Sequence, residues 1–222
     1  MPRYGRIGAA LAATALLAGM IGAAPAAASP SSSLASPVLT YGSVGGSAVT
    51  VGDVVKASLA SGTSATFYSS TTGTTGVKCA ASTFSAKVLT NPAAPGTATE
   101  SLTAQTFTSC TSNVFGTTGV QSVTVNNLPY ATSVTSAGVV TISGSIQSTV
   151  VLNTLLGPTT CVYRTTSLTG AALNSTNSIT FTNQVLTKSS GPSTCFTTAY
   201  FSARYSPVLD TSKTGSPAVY VN

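Results

Sequence analysis

Histidine and tryptophan are absent from the 222 residues, and the only acids are Asp53, Glu100 and Asp210. Without histidine, the usual Ser-His-Asp and Cys-His mechanisms are excluded, together with imidazole-based metal sites. A glycosidase needs two carboxylates facing each other across a substrate, so any activity of that type would need two of the three acids to meet. Each acid also has a plain structural reading. Asp53 follows Gly52 at a strand junction and Asp210-Thr211-Ser212 reads as a turn, while Glu100 opens a strand as a solvated side chain. A serine nucleophile would need a lysine base, but no Ser-x-x-Lys occurs, and Lys213-Thr214-Gly215 alone reads as a polar turn. The chain is therefore expected not to be an enzyme, and to use no cofactor or metal.

Charge of either sign is scarce, at 5% of residues. Setting Arg3 and Arg6 aside, seven bases stand against the three acids, scattered singly along the chain. Nothing there could track a phosphate backbone, so nucleic acid is not an expected partner. Low charge combined with a positive mean hydropathy of +0.36 also argues against disorder. Serine and threonine fill the gap and make up about a third of the residues.

The first residues read as an export signal. Arg3 and Arg6 form a short positive region, Ile7 to Ile21 a small-apolar run, and Pro25-Ala26-Ala27-Ala28 a small-residue cleavage site. The run is shorter than the roughly 20 apolar residues that span a bilayer. Residues 1–28 are thus expected to be a signal peptide and 29–37 a flexible leader, with 38–222 a single all-β domain. Two tandem modules, about 38–130 and 131–222, are the alternative. The expected location is extracellular, with or without association with the cell wall.

Four cysteines in an exported chain, Cys79, Cys110, Cys161 and Cys195, imply disulfides, and without histidine or a closely spaced pair they do not suit zinc. Three connectivities are open, and the sequence does not choose among them. The sequential one, Cys79–Cys110 with Cys161–Cys195, would let each bridge clamp the ends of a hairpin.

From Val38 onward the pattern is period two. Val140, Ile142, Ile146, Val150 and Leu152 share one face, with Thr141, Ser143, Ser145, Gln147 and Thr149 on the other and Gly144 as a bulge. Cys195 to Tyr205 alternates similarly. Shorter strands are expected at 46–51, 53–60, 64–69, 76–90, 98–109, 120–126, 160–168, 178–187 and 217–221, between Gly, Pro and Asn breaks. No segment sustains a helical period; Val54 to Ala60 comes nearest. The fold class that follows is an all-β, disulfide-braced antiparallel sandwich or barrel.

Binding is the class left open. Tyr130, after Pro129, is the tyrosine expected on a loop, and Arg164 and Arg204 are candidates for surface contact. Residues 134–153 alternate as a membrane hairpin would, so a β-pore or toxin-like role is the second reading. The disulfides argue against the large refolding such a role demands, and stable membrane insertion is not expected.

Val51-Gly52-Asp53, Gly76-Val77-Lys78-Cys79, Asn127-Leu128-Pro129-Tyr130, Cys161-Val162-Tyr163-Arg164 and Tyr200-Phe201-Ser202-Ala203-Arg204-Tyr205 together resemble a group of exported actinobacterial proteins. The resemblance implies a Gram-positive exporting host and a single domain, and carries no activity. The resulting expectation is a secreted, non-catalytic structural or binding protein. Its partner would be an extracellular protein or a cell-wall glycan.

Overall fold

The computed structural model describes residues 35–222; the expected signal peptide and most of the leader lie outside the described residues. Fourteen strands follow one another: β1 (Leu39–Tyr41), β2 (Ser47–Ala48), β3 (Val54–Ser58), β4 (Ala65–Tyr68), β5 (Gly76–Thr90), β6 (Thr97–Ser112), β7 (Thr117–Asn126), β8 (Tyr130–Thr135), β9 (Val139–Thr154), β10 (Gly157–Leu173), β11 (Ser178–Ser190), β12 (Thr198–Tyr205), β13 (Leu209–Asp210) and β14 (Val219–Val221). Within the segment Val54 to Ala60, nearest to a helical pattern, Val54–Ser58 form strand β3, as the β-branched start favours.

Eight antiparallel columns close into a barrel. Taken in order they are β3 with β4, β5, β6, β7 with β8, β9, β10, β11 and β12, so each column lies beside its neighbour in sequence. Two columns are each built from two short strands. Between β6 and β9, β8 fills one half (Ala131↔Ser143) and β7 the other (Val123↔Val150). Between β5 and β12, β4 pairs with both (Phe67↔Val77, Phe67↔Phe201), while β3 pairs with β5 and Leu59 bridges to Tyr205. Strands from both halves of the chain form this one sheet.

The period-two pattern decides which face turns in. On β9, Val140, Ile146, Val150 and Leu152 are buried, and their odd-numbered neighbours Ser143, Ser145 and Asn153 are exposed. Gly144 (φ 131°) sits at the bulge, with Ser143 opposite Ser167 but Ile146 opposite Thr165. The interior centres on Phe201, whose ring lies 5.1 Å from Phe67, 6.0 Å from Phe107 and 6.0 Å from Phe181. Phe84 meets Tyr205 edge-on at 5.2 Å. Such contacts add to the burial of large apolar rings.

The meander gives the barrel two unlike ends. Hairpin turns at 69–75, 113–116, 155–156 and 191–197 crown one, the tip end. The other carries the turns at 91–96, 136–138 and 174–177 and is covered by a small sheet, β14-β1-β2. The final residues of the expected flexible leader are ordered here: Pro37 bridges Ala93, and Ser36 O accepts the Ala94 amide at 2.8 Å.

Both disulfides form in the sequential pairing, and both lie toward the tip end. Cys79–Cys110 staples directly opposed residues of β5 and β6, with Cα atoms 3.9 Å apart. Cys161–Cys195 ties β10 to the β11–β12 connection, with a Cα separation of 5.6 Å. Cys195 is itself outside any strand, so this bridge holds a segment that ladder hydrogen bonds do not. Cys161→Ser/Cys195→Ser is therefore expected to lose about 4 kcal/mol, as a loop of this size gives on the chain-entropy model. Hydrogen exchange in that variant should show amides of 191–197 losing protection before those of β10.

Candidate functional site

At the tip end, exposed large side chains gather. Phe115 in the β6–β7 turn is 98% exposed, and Leu155 and Leu156 in the β9–β10 turn are 87% and 101% exposed. The two turns are neighbours because β7 pairs with β9 up to Thr117↔Thr154. The turn geometry does not call for leucine. Two-residue hairpin turns favour Asn, Asp and Gly, and here Gly157 carries the positive φ (109°) that lets the leucines avoid it. Gly116 (φ 80°) has the same place after Phe115. Folding therefore accounts for the glycines and leaves the three apolar side chains without a structural task.

Charge is distributed unevenly as well. Glu100 is 7% exposed, Asp53 9% and Asp210 0%, so every acid is withdrawn from the described surface. Lys56, Lys78, Lys87 and Arg164 are exposed on the outer wall among serine and threonine hydroxyls.

Arg164 stands on β10, its Nε donating to Gln147 Oε1 at 2.8 Å. It lines an open groove of about 530 Å³ with Asn127, Ser145, Ile146, Thr165 and Thr166, over the break between β7 and β8. Tyr130 does not join it as a loop residue. It begins β8, is 4% exposed, and its hydroxyl accepts from the Gln147 amide at 3.0 Å and donates to Asn126 O. The ring thus anchors the joint between the two half-columns, since its inward position on β8 matches Thr132 and Val134. Burial raises its hydroxyl pKa, partly offset by the Gln147 backbone bond. Arg204 is half-buried on β12 opposite Thr180, whereas Arg164 is opposite Thr187 on the same β11. Seven residues of strand put these positions about 20 Å apart. The two arginines do not share a site.

Glu100 corrects an expectation. It turns into the barrel between Ala98 and Leu102, because all three occupy the inward phase of β6. Its carboxyl has no hydrogen-bond partner among the described residues, and burial pushes its pKa up to about 7. Thr132, directly opposite, also has a buried hydroxyl without a partner, and both line a small cavity of about 30 Å³. A second interior cavity, about 50 Å³, lies among Phe67, Phe107, Phe181, Phe201, Tyr205 and Ser148. Each is large enough for a water, and both are far below the ~300 Å³ of a small-molecule pocket. Nearby, Ser82 Oγ, Tyr205 OH and Gln105 Nε2 bond one another at 2.7 to 3.0 Å, while Ser148 Oγ has no hydrogen-bond partner among the described residues.

Asp53 and Asp210 do meet. Asp53 accepts the Thr50 amide at 2.7 Å in the expected turn and pairs with Lys213 Nζ at 2.8 Å. Asp210 makes its own turn contact to the Ser212 amide at 3.0 Å, but it lies on β13 and is fully buried, more than a solvent turn requires. Among the described residues its Oδ2 has no hydrogen-bond partner, and Asp53 is near enough for its charge to act on the carboxyl. A buried carboxyl with an unpartnered oxygen beside a second, charged carboxylate favours its protonated form. Burial and the neighbouring Asp53 charge both raise the Asp210 pKa. Burial also pushes Asp53 up, but the Lys213 and Thr50 hydrogen bonds outweigh it and hold Asp53 below the usual carboxylate range. Asp53 is engaged by Lys213 and Asp210 is wholly buried, so the two carboxyls do not face each other across an open cleft as a glycosidase pair must.

Arg164 lies on a surface strand as expected from the sequence, whereas Phe115, Leu155 and Leu156 are not among the residues that the sequence singles out. The signal for the leucines was there: an apolar pair between Thr154 and Gly157, where a turn breaks two long alternating runs. Comparison with family models, with curated proteins and with solved structures returns no match.

Proposed function

We propose that this chain is a secreted, non-catalytic binding protein that engages an extracellular protein partner through the tip end of its barrel. The observation that carries the reading is the exposure of Phe115, Leu155 and Leu156 on two adjacent turns. Exposed apolar clusters are costly for solubility and mark contact surfaces. Two disulfides brace this end, and the terminal strands cover the opposite one. A rigid contact surface loses less entropy on binding than a mobile one.

The alternation favours this reading over a pore. A membrane-spanning barrel is apolar outside and polar within, whereas this wall turns Ser and Thr outward and packs Phe and Val inside. The two bridges and the signal-like start support an extracellular setting.

The test is capture from the culture surface on the immobilised chain. The wild type should retain a partner that a Phe115→Ser/Leu155→Ser/Leu156→Ser variant loses at least tenfold. The variant's thermal midpoint should not fall, since these side chains bury little. Equal capture by both chains would overturn the reading. A second reading, a glycan in the Arg164 groove, rests on its hydroxyl-rich lining; retention lost on Arg164→Ala alone would favour it.

A further inference from the structure

We propose that Lys213 and Asp53 condense into an intramolecular isopeptide bond, with Asp210 as the proton shuttle. The three groups come from segments that the fold presses together. Asp53 ends the turn before β3, and Asp210 lies on β13, paired with Val55 of β3. The turn carrying Lys213 is pinned to the same strand start. The Thr211 amide donates to Val54 O at 2.9 Å, and the Val54 amide donates to Ser212 Oγ at 2.8 Å. Lys213 Nζ therefore sits 2.8 Å from Asp53 Oδ2, with Thr50 Oγ1 at 3.1 Å and the Tyr41 ring centroid at 5.8 Å.

An ion pair needs only two of these groups. The third, Asp210, is wholly buried, with an oxygen that finds no partner unless its carboxyl keeps a proton. A protonated acid beside an amine and a carboxyl is what amide formation requires. In the step, the Lys213 ammonium first gives a proton to Asp53, leaving a neutral amine and a neutral acid. Nζ attacks the Asp53 side-chain carbonyl carbon while Asp210 protonates its oxygen. Asp210 then takes a proton from nitrogen and passes it to one hydroxyl, which leaves as water when the C–O bond breaks, and the proton of the remaining hydroxyl returns to Asp210. One amide forms, one water leaves, and Asp210 ends as it began.

Magnitudes set the pace. The Lys213 side chain is 27% exposed and Asp53 12%, so the charged pair dominates and the reactive neutral pair is the minor form. Against this, groups held in contact react with effective molarities of about 10⁵–10⁸ M. The outcome is slow, self-completing closure after folding, which joins the first barrel column to the segment that leads into β14.

Intact-mass measurement of the purified chain, with both disulfides reduced, tests this directly. After days at neutral pH the wild type should weigh one water less than its sequence, and digestion should yield a branched peptide joining Asp53 to Lys213. Lys213→Arg, which keeps the ion pair and cannot close, should stay at full mass. Asp210→Asn, which retains the shape without an acid proton, should close at least tenfold more slowly. A wild-type chain at full mass overturns the proposal, as does water loss that persists in Lys213→Arg.

Discussion

Glu100→Gln should stabilise the protein at neutral and alkaline pH by up to about 3 kcal/mol while changing little at pH 4. The sign follows from the carboxyl's two environments. In the unfolded chain it titrates near 4.5, and in the barrel it titrates at about 7 because burial opposes its charge. Below the lower value both states hold the proton, and ionisation costs nothing. Between the two, the unfolded state ionises and the folded state does not, so stability drains away as pH rises. Above about 7 the loss is complete and constant. A difference of roughly 2.5 pH units corresponds to about 3 kcal/mol at 1.36 kcal/mol per unit, an upper figure because water entry would relax the site. Glutamine has nearly the same shape and no charge to acquire. Denaturant titrations of both chains at a series of pH values give the difference curve, in which the opposite-signed contribution of Asp53 cancels. A flat difference between pH 4 and 9 would refute the buried placement of Glu100.

Phe201→Ala should cost about 3–5 kcal/mol, the range for emptying a buried aromatic site. Phe201 is the hub of the interior, with Phe67, Phe107 and Phe181 all within 6.0 Å of its ring. The barrel wall is tied by hydrogen bonds all the way round, so it cannot collapse into the space left behind. Phe201→Leu, which restores most of the volume, should recover more than half of the loss. Shifts in the denaturation midpoint with the disulfides intact measure both. A loss under 1 kcal/mol for Phe201→Ala would mean that the interior is looser than this packing requires.

How much of this was legible in the sequence varies from strand to strand. β5 is readable in its bounds, because Gly76 opens it and Asn91-Pro92 closes it, although its buried phase changes at Ala80-Ala81, between Cys79 and Ser82. β9 is equally plain, with its bulge at Gly144. β8 was hidden, since Tyr130-Ala131-Thr132-Ser133-Val134-Thr135 is short and follows a Pro that suggests a loop. β1 and β13 were hidden too; at three and two residues they have no period of their own and exist through their partners. Glu100 was misread for a different reason. Residue type suggests solvent, but the phase it shares with Ala98 and Leu102 points inward, and phase prevails when the rest of a strand is committed. The meeting of Asp53 with Asp210 and Lys213 spans about 160 residues of chain, and no local pattern announces a contact that only barrel closure creates.

The small sheet at the covered end also bears on how the chain could be cut and rejoined. β1 pairs with β14, Leu39 opposite Val221, and the Asn222 side chain donates to Pro37 O at 2.9 Å. Residues 37 and 222 therefore all but touch, and the path between them is nearly a ring. None of the eight columns depends on where that ring is opened. A circularly permuted chain, relinked across this seam and opened at an exposed turn, would contain every ladder of the barrel in the same order.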